Sequence, residues 1–217
     1  LFGFIRRADL NAIISENPLH GLFAFLASPS HTVKVFDFSD YFPQSASIYY
    51  RSRIAKPLIE RVVGLITNLS IRLSDVCLAP CSALIRMARG VDADKPCYMV
   101  TNGVDTRLFQ SAKSQRPVRK SLGLKENVIT FVGLVEPWLD FVTVIQGMEI
   151  LRRRIGDVQL LIVGPDRGKY QEQVREAARR YGVEDQVIWT GWVPYEQLPV
   201  YIDLAKFCVM PFRTDTY

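Results

Sequence analysis

Three glycine-bearing turns in the second half of the chain are where residue type and spacing suggest chemistry. Gly133 follows the run 128–132 (VITFV). Gly164 opens the loop Gly164-Pro165-Asp166-Arg167-Gly168 after the run 158–163 (VQLLIV), and Gly191-Trp192-Val193 follows residues 186–190. A glycine at the carboxyl end of a buried parallel strand lets peptide atoms approach a phosphate or a base, so the three turns together point to a nucleotide site. Taken singly, each glycine reads equally well as a plain strand terminator. Trp192 has the same two readings, since an indole beside a cleft stacks on a base or closes a core. The sequence holds no GxGxxG and no GxxxxGK[ST], so it gives no support to the usual dinucleotide fingerprint or to a P-loop. Cys77, Cys81, Cys97 and Cys208 form no CxxC pair, and His20 and His31 stand at no zinc-finger spacing from them. No metal site is expected, and the thiols read as reduced side chains of a cytosolic protein.

The elements that would position these turns alternate. Between the first two strand-like runs, Val142, Ile145, Met148, Ile150, Leu151 and Ile155 recur at helical spacing, with Arg152, Arg153 and Arg154 at the end where cations favour a helix C-terminus. The pattern then predicts a helix over 169–181 stopped by Gly182, a strand over 186–190, a short helix over 195–203 and a strand over 207–212. Such alternation implies a doubly wound parallel sheet. In the first half, residues 32–36 (TVKVF), 76–79 and 98–100 read as strands. Residues 58–73 have the apolar period of a core-facing helix, and Pro80-Cys81-Ser82 reads as the cap of a helix over 83–89 stopped by Gly90. The expected organisation is one α/β domain over 1–105, a polar connection over 106–125 and a second α/β domain over 126–217.

Composition bounds these readings. A length of 217 residues with 48% hydrophobic and 23% charged side chains allows two modest packed domains and makes disorder unlikely as an account of the chain. The net charge of +5 is shared, +3 on residues 1–110 and +2 on 111–217. So dispersed an excess suits anionic small molecules or an anionic membrane surface better than a nucleic-acid groove, and Arg152-Arg153-Arg154 has no aromatic stacking platform beside it. The best apolar run, 21–27, is far too short to span a bilayer, and no signal peptide is read at Leu1.

Thr101-Asn102-Gly103-Val104-Asp105 followed by Leu108-Phe109 resembles the NGVD…F signature at the handover between the two domains of retaining glycosyltransferases of the GT-B fold, family 4. FVGLVEPWLDF (131–141), LLIVGP (160–165), VIWTGWVPYEQLPVYI (187–202) and FCVMPFR (207–213) are similar, in order and spacing, to the first strand-and-loop elements of that family's donor domain, and SDVCLAPCSALI (74–85) to the last elements before the handover. The resemblance covers about four fifths of the chain and rests on ordered agreement.

It implies a GT-B architecture of two Rossmann-like doubly wound parallel-sheet domains, both incomplete in this chain. A nucleoside diphosphate sugar would lie against Gly133, Gly164, Pro165, Asp166, Trp192, Val193 and Arg213. Asp37, Ser39 and Asp40 would face the acceptor, with Ser39 where many members have histidine; polar termination of a strand is the plainer reading of the two aspartates. No cofactor or metal would be needed. The expected activity is hexosyl transfer to a glycan or lipid-linked acceptor with retention, in the cytoplasm, at the inner face of the membrane where the acceptor is a lipid. Arg51, Arg53, Lys56 and Arg61 read either as a basic docking face or as a solvated helix surface.

Two departures stand out. Members commonly carry an arginine directly after the first donor-strand glycine and a lysine soon after it, whereas Leu134 follows Gly133 here and no basic residue occurs before Arg152. A subset similar to teichuronic-type transferases reads VGxLxxWxD at this place. The family's paired glutamates would fall beyond Tyr217, so the catalytic residues are unknown and the chain is expected to be inactive by itself, as an internal portion of a longer protein. A GT-B nucleotide-sugar epimerase, and a degenerate domain that binds a sugar nucleotide or a protein partner without turnover, remain open beside the transferase reading.

Overall fold

A computed structural model of the chain describes residues 2–8, 10–48, 50, 52, 54–110, 115–166 and 168–213. They fall into two compact units, Leu1–Gly103 and Val104–Tyr217.

The first unit runs α1 (Phe2–Arg7), β1 (Ala12–Ser15), α2 (Pro18–Ala27), β2 (Val33–Asp37), α3 (Phe42–Ser47), α4 (Ala55–Leu73), β3 (Val76–Ala79), α5 (Ser82–Val91) and β4 (Cys97–Met99). Its strands pair in parallel in chain order, with Ile14 opposite Val35, Phe36 opposite Cys77, and Cys77 opposite Cys97. The sequence reading missed β1 and α2, although α2 carries its own start signal: Asn17 Oδ1 accepts the amides of Leu19 and His20, and Pro18 fills the first turn, where its missing N–H costs nothing. The core packs Phe25, Phe36, Phe38, Ile71, Cys77, Ala79 and Ala88.

Two helix expectations are adjusted in this unit. Helix α4 faces the core through Thr67, Ser70 and Ile71, with Ile59, Val63, Ile66 and Leu73 half-buried, and leaves a second aliphatic row, Leu58, Val62, Leu65 and Leu69, exposed. The small polar face lets the helix approach α2 closely, where the Ser70 hydroxyl donates to the Pro18 carbonyl at 2.7 Å. Helix α5 runs through Gly90 to Val91, and its N-cap is Cys81, with no side-chain capping bond. One interior glycine costs a helix only about 1 kcal/mol, too little to end it here.

The second unit runs α6 (Thr106–Gln110), α7 (Arg116–Ser121), β5 (Asn127–Val132), α8 (Phe141–Ile155), β6 (Val158–Val163), α9 (Lys169–Arg180), β7 (Val187–Trp189), α10 (Leu198–Asp203) and β8 (Phe207–Cys208). The stretch 106–125 thus contains two short helices and falls within this unit. It is tied down by Gln159, a buried amide in β6 that accepts the Lys125 N–H at 2.6 Å.

All strands of this sheet are parallel, in the order β7-β6-β5-β8. Chain progression therefore reverses between β5 and β8. Alternate residues feed two cores. Ile129, Phe131, Leu160 and Ile162 pack with α8 and α9 through Ile145, Met148, Val174 and Ala178. Val128, Leu161 and Val163 pack on the opposite face with Leu124 and Leu204. Every residue of β6 is buried, as a central parallel strand requires.

The strand expected over 207–212 is only two residues long. The Val209 N–H still donates to the Thr130 carbonyl at 2.9 Å, but Pro211 has no N–H to continue the ladder, and Phe212 instead forms an antiparallel bridge with Leu139. The helix expected over 195–203 divides into a 3₁₀ turn, Tyr195–Gln197, and α10.

Candidate functional site

The three glycine turns meet at the carboxyl edge of the second sheet. The Gly133 N–H donates to the Val163 carbonyl at 2.9 Å, and the Gly164 N–H donates to the Gly191 carbonyl at 3.1 Å. All three glycines have positive φ, +145°, +157° and +73° for Gly133, Gly164 and Gly191. A methyl group on Gly164 would overlap the Gly133 carbonyl oxygen. The ends of β5, β6 and β7 are therefore drawn together, and at Gly164 the backbones approach so closely that only glycine fits. Pro165 and Asp166 continue the loop beyond it. Arg167 lies outside the described residues.

Side chains flank these strand ends. Leu134 is 52% exposed and Trp192 72%, two apolar groups held in solvent beside the glycines, whereas Val193 is half-buried against the Leu124–Leu204 core. On the β5–β8 side, the Arg213 N–H donates to the Trp138 carbonyl at 3.0 Å and the Asp140 N–H to the Pro211 carbonyl at 2.6 Å. The segment after β8 is thereby laced to the loop after β5, and Arg213 becomes the neighbour of a loop that holds Glu136 and Asp140 and no cation. Asp140 caps α8, its carboxylate accepting the Thr143 amide and hydroxyl at 3.1 and 2.7 Å. The Tyr170 hydroxyl donates to the Leu139 carbonyl and receives the Phe141 N–H at 3.4 Å, and burial holds this phenol above its ordinary pKa.

Asp166 is not a bare carboxylate. Its Oδ2 lies 2.8 Å from Nη2 of Arg175, on α9, and the Arg175 guanidinium stands 4.4 Å above the ring centroid of Trp189, the last residue of β7. Sequence reasoning passed over Arg175, because nothing in the pattern RE, nine residues on, marks it as the partner of Asp166.

In the first unit, Asp37, Ser39 and Asp40 cluster after β2. The Ser39 hydroxyl donates to Glu16 Oε1 at 2.7 Å, and burial, with Glu16 nearby, pushes the Asp37 carboxyl above its ordinary pKa. Asp40 accepts the Tyr41 amide at 2.8 Å and the Ser45 hydroxyl, a local arrangement at the start of α3. Glu16 follows β1 and was invisible without that strand. Of the basic residues noted in the sequence, Arg61 is exposed and Lys56 half-buried; Arg51 and Arg53 lie outside the described residues. Among the described residues no three His, Cys, Asp or Glu side chains gather where they could hold a metal ion, and no helix is long and apolar enough to cross a membrane.

A parallel sheet whose strand order reverses opens a crevice at the carboxyl ends of the strands beside the reversal. In the second unit that position lies between Gly133 and the 209–213 segment, which carries Arg213, a residue type that suits a phosphorylated ligand bringing its own negative charge.

Comparison with known proteins bears on the fold and the family resemblance. Residues 114–216 match the family model described as "Glycosyl transferases group 1". Over 115 residues the chain is 36% identical to the GDP-mannose-dependent alpha-(1-6)-phosphatidylinositol monomannoside mannosyltransferase of Mycobacterium tuberculosis, covering 52% of this chain and 29% of that protein. Over 121 residues it is 32% identical to TuaH of Bacillus subtilis, named for teichuronic acid biosynthesis, covering 55% and 28%. Its fold is that of HepE from Anabaena, solved in complex with UDP-glucose, with a TM-score of 0.73, 17% identity, and coverage of 95% of this chain and 54% of that one. The chain spans about half the length of that structure, and the matched stretch under a third of the curated relatives. Residues 114–216 thus resemble the glycosyl transferases group 1 family, in a chain with the Rossmann-like GT-B fold of glycosyltransferase structures.

Proposed function

We propose that the protein carrying this chain transfers a hexosyl group from a nucleoside diphosphate sugar to a glycan or lipid-linked acceptor, with retention at the anomeric carbon. The observation that carries this reading is the strand-order reversal of the second unit, with the positive-φ glycines Gly133, Gly164 and Gly191 at the strand ends beside it. The nucleotide would lie across Gly133, Gly164, Pro165 and Asp166, with Trp192 and Val193 toward the base. Departure of the diphosphate needs positive potential rather than a proton, because the leaving group is already anionic. The Arg213 guanidinium can supply that potential with no resident metal or cofactor. Asp37, Ser39 and Asp40, with Glu16, would face the acceptor hydroxyls. The reading includes a cytoplasmic location, at the inner face of the membrane where the acceptor is a lipid. Transfer to a phosphatidylinositol mannoside by a relative 36% identical over half of this chain supports the lipid-linked class.

Isothermal titration with UDP, GDP and their sugar conjugates tests the donor assignment. Micromolar binding, about −8 kcal/mol, is expected for one of them. Absence of binding across the panel would overturn it. One observation favours a second reading, a domain that binds a sugar nucleotide without turnover: Leu134 stands where a cation would meet the diphosphate, and the loop around it is acidic. A product assay on the complete protein with the nucleotide sugar that binds separates the two.

A further inference from the structure

We infer that Arg175 is a positioning residue for the donor loop, bridging Asp166 to Trp189 so that the loop backbone after Gly164 is preset toward the nucleotide. This deepens the donor reading above and rests on it.

The loop is joined to the end of β7 at two points. Its first residue, Gly164, donates its N–H to the Gly191 carbonyl at 3.1 Å. Its third, Asp166, reaches Arg175 at 2.8 Å, and Arg175 lies 4.4 Å over the Trp189 ring. Trp189 packs against the Ile129–Met148 core and is two residues from Gly191, so one attachment ends on the last residue of β7 and the other on the turn just after it. A guanidinium suits this place because its edge pairs with a carboxylate while its face stacks on an indole; an ammonium group lacks that planar geometry. Two consequences follow for a ligand. Asp166 meets an incoming diphosphate as half of an ion pair and not as a repelling charge. The ordering of the loop is completed before the nucleotide arrives, which strengthens binding because less freedom is lost on association.

Titration of UDP and GDP into the protein and its Arg175→Gln, Arg175→Lys, Asp166→Asn and doubly substituted Asp166→Asn/Arg175→Gln forms, each with its melting temperature, tests this. Each single neutralisation is expected to weaken nucleotide binding about tenfold, the double form no more than either, and Arg175→Lys to regain part of the loss. Unchanged affinity in a folded Arg175→Gln protein overturns the inference alone, as does a lowered melting temperature without loss of affinity, which marks a purely structural brace. Weakening by Asp166→Asn but not by Arg175→Gln also overturns it, because Asp166 would then touch the ligand directly. No binding by the unsubstituted protein overturns the donor reading itself.

Discussion

The two units are built from the same parts, a four-stranded parallel sheet with helical crossovers, and differ in strand order. In the first the order is β1-β2-β3-β4, which follows the chain without reversal; in the second it is β7-β6-β5-β8, which reverses beside β5. A monotonic order sends right-handed crossovers to one side, and the first unit packs its core against Phe36, Cys77 and Ala79 while Ile14 remains 68% exposed. A reversed order sends them to both sides, and the second unit has a core on each face of β5 and β6. The same reversal opens a crevice where neighbouring crossovers diverge. The two-sided core and the candidate ligand site of the second unit thus come from one topological fact.

Substitutions can break or sharpen this contrast. The largest effect is expected from Gly164→Ala, which drives a methyl group into the Gly133 carbonyl at a φ of +157°. A cost on the order of 4 kcal/mol follows from overlap plus backbone strain, enough to unfold the second unit in urea that the first survives. A Gly164→Ala protein that melts like the wild type would mean that the strand ends are not packed together. Next comes the pair Leu160→Ala and Ile14→Ala. Truncation within the two-sided sheet should cost about 3 kcal/mol and truncation at the exposed position less than about 0.5 kcal/mol. Equal shifts in the urea midpoint would erase the difference between the sheets.

The smallest effect concerns Asp37. Its carboxyl titrates higher in the folded protein than in the unfolded chain, because burial disfavours the charge and Glu16 adds repulsion. The stability linked to this group is therefore fully present below the unfolded pKa and is lost as pH rises through the folded value. Asp37→Asn should remove that decline, so its urea midpoint gains on the wild type between acidic and neutral pH. Parallel curves for the two proteins would show that Asp37 does not feel the cluster.

Much of the second unit was legible because buried parallel strands read as continuous apolar runs and α8 as a clear helical period; β5, β6 and α8 lie within a residue of expectation. The first unit was harder for physical reasons. The four residues of β1 are too few for periodicity to register, and α4 carries a second, exposed aliphatic row beside its core-facing one, so period alone does not say which side is buried. At the candidate site, sequence marked the glycines but not their mutual contact, which depends on chain segments about 30 residues apart. Glu16 and Arg175 were missed for the same reason, since each acquires its meaning from a partner on another element.

The junction formed by Gly133, Gly164 and Gly191 also bears on how such a site can diversify. It is built of backbone, with Gly164 buried between its neighbours, and peptide atoms are the same whatever the gene encodes. Descendants of this scaffold inherit this backbone unchanged as long as the glycines stay. Novelty in what is recognised must then accumulate in the walls, at Leu134, Trp192 and Arg213, where one codon can change shape or charge without disturbing the sheet beneath.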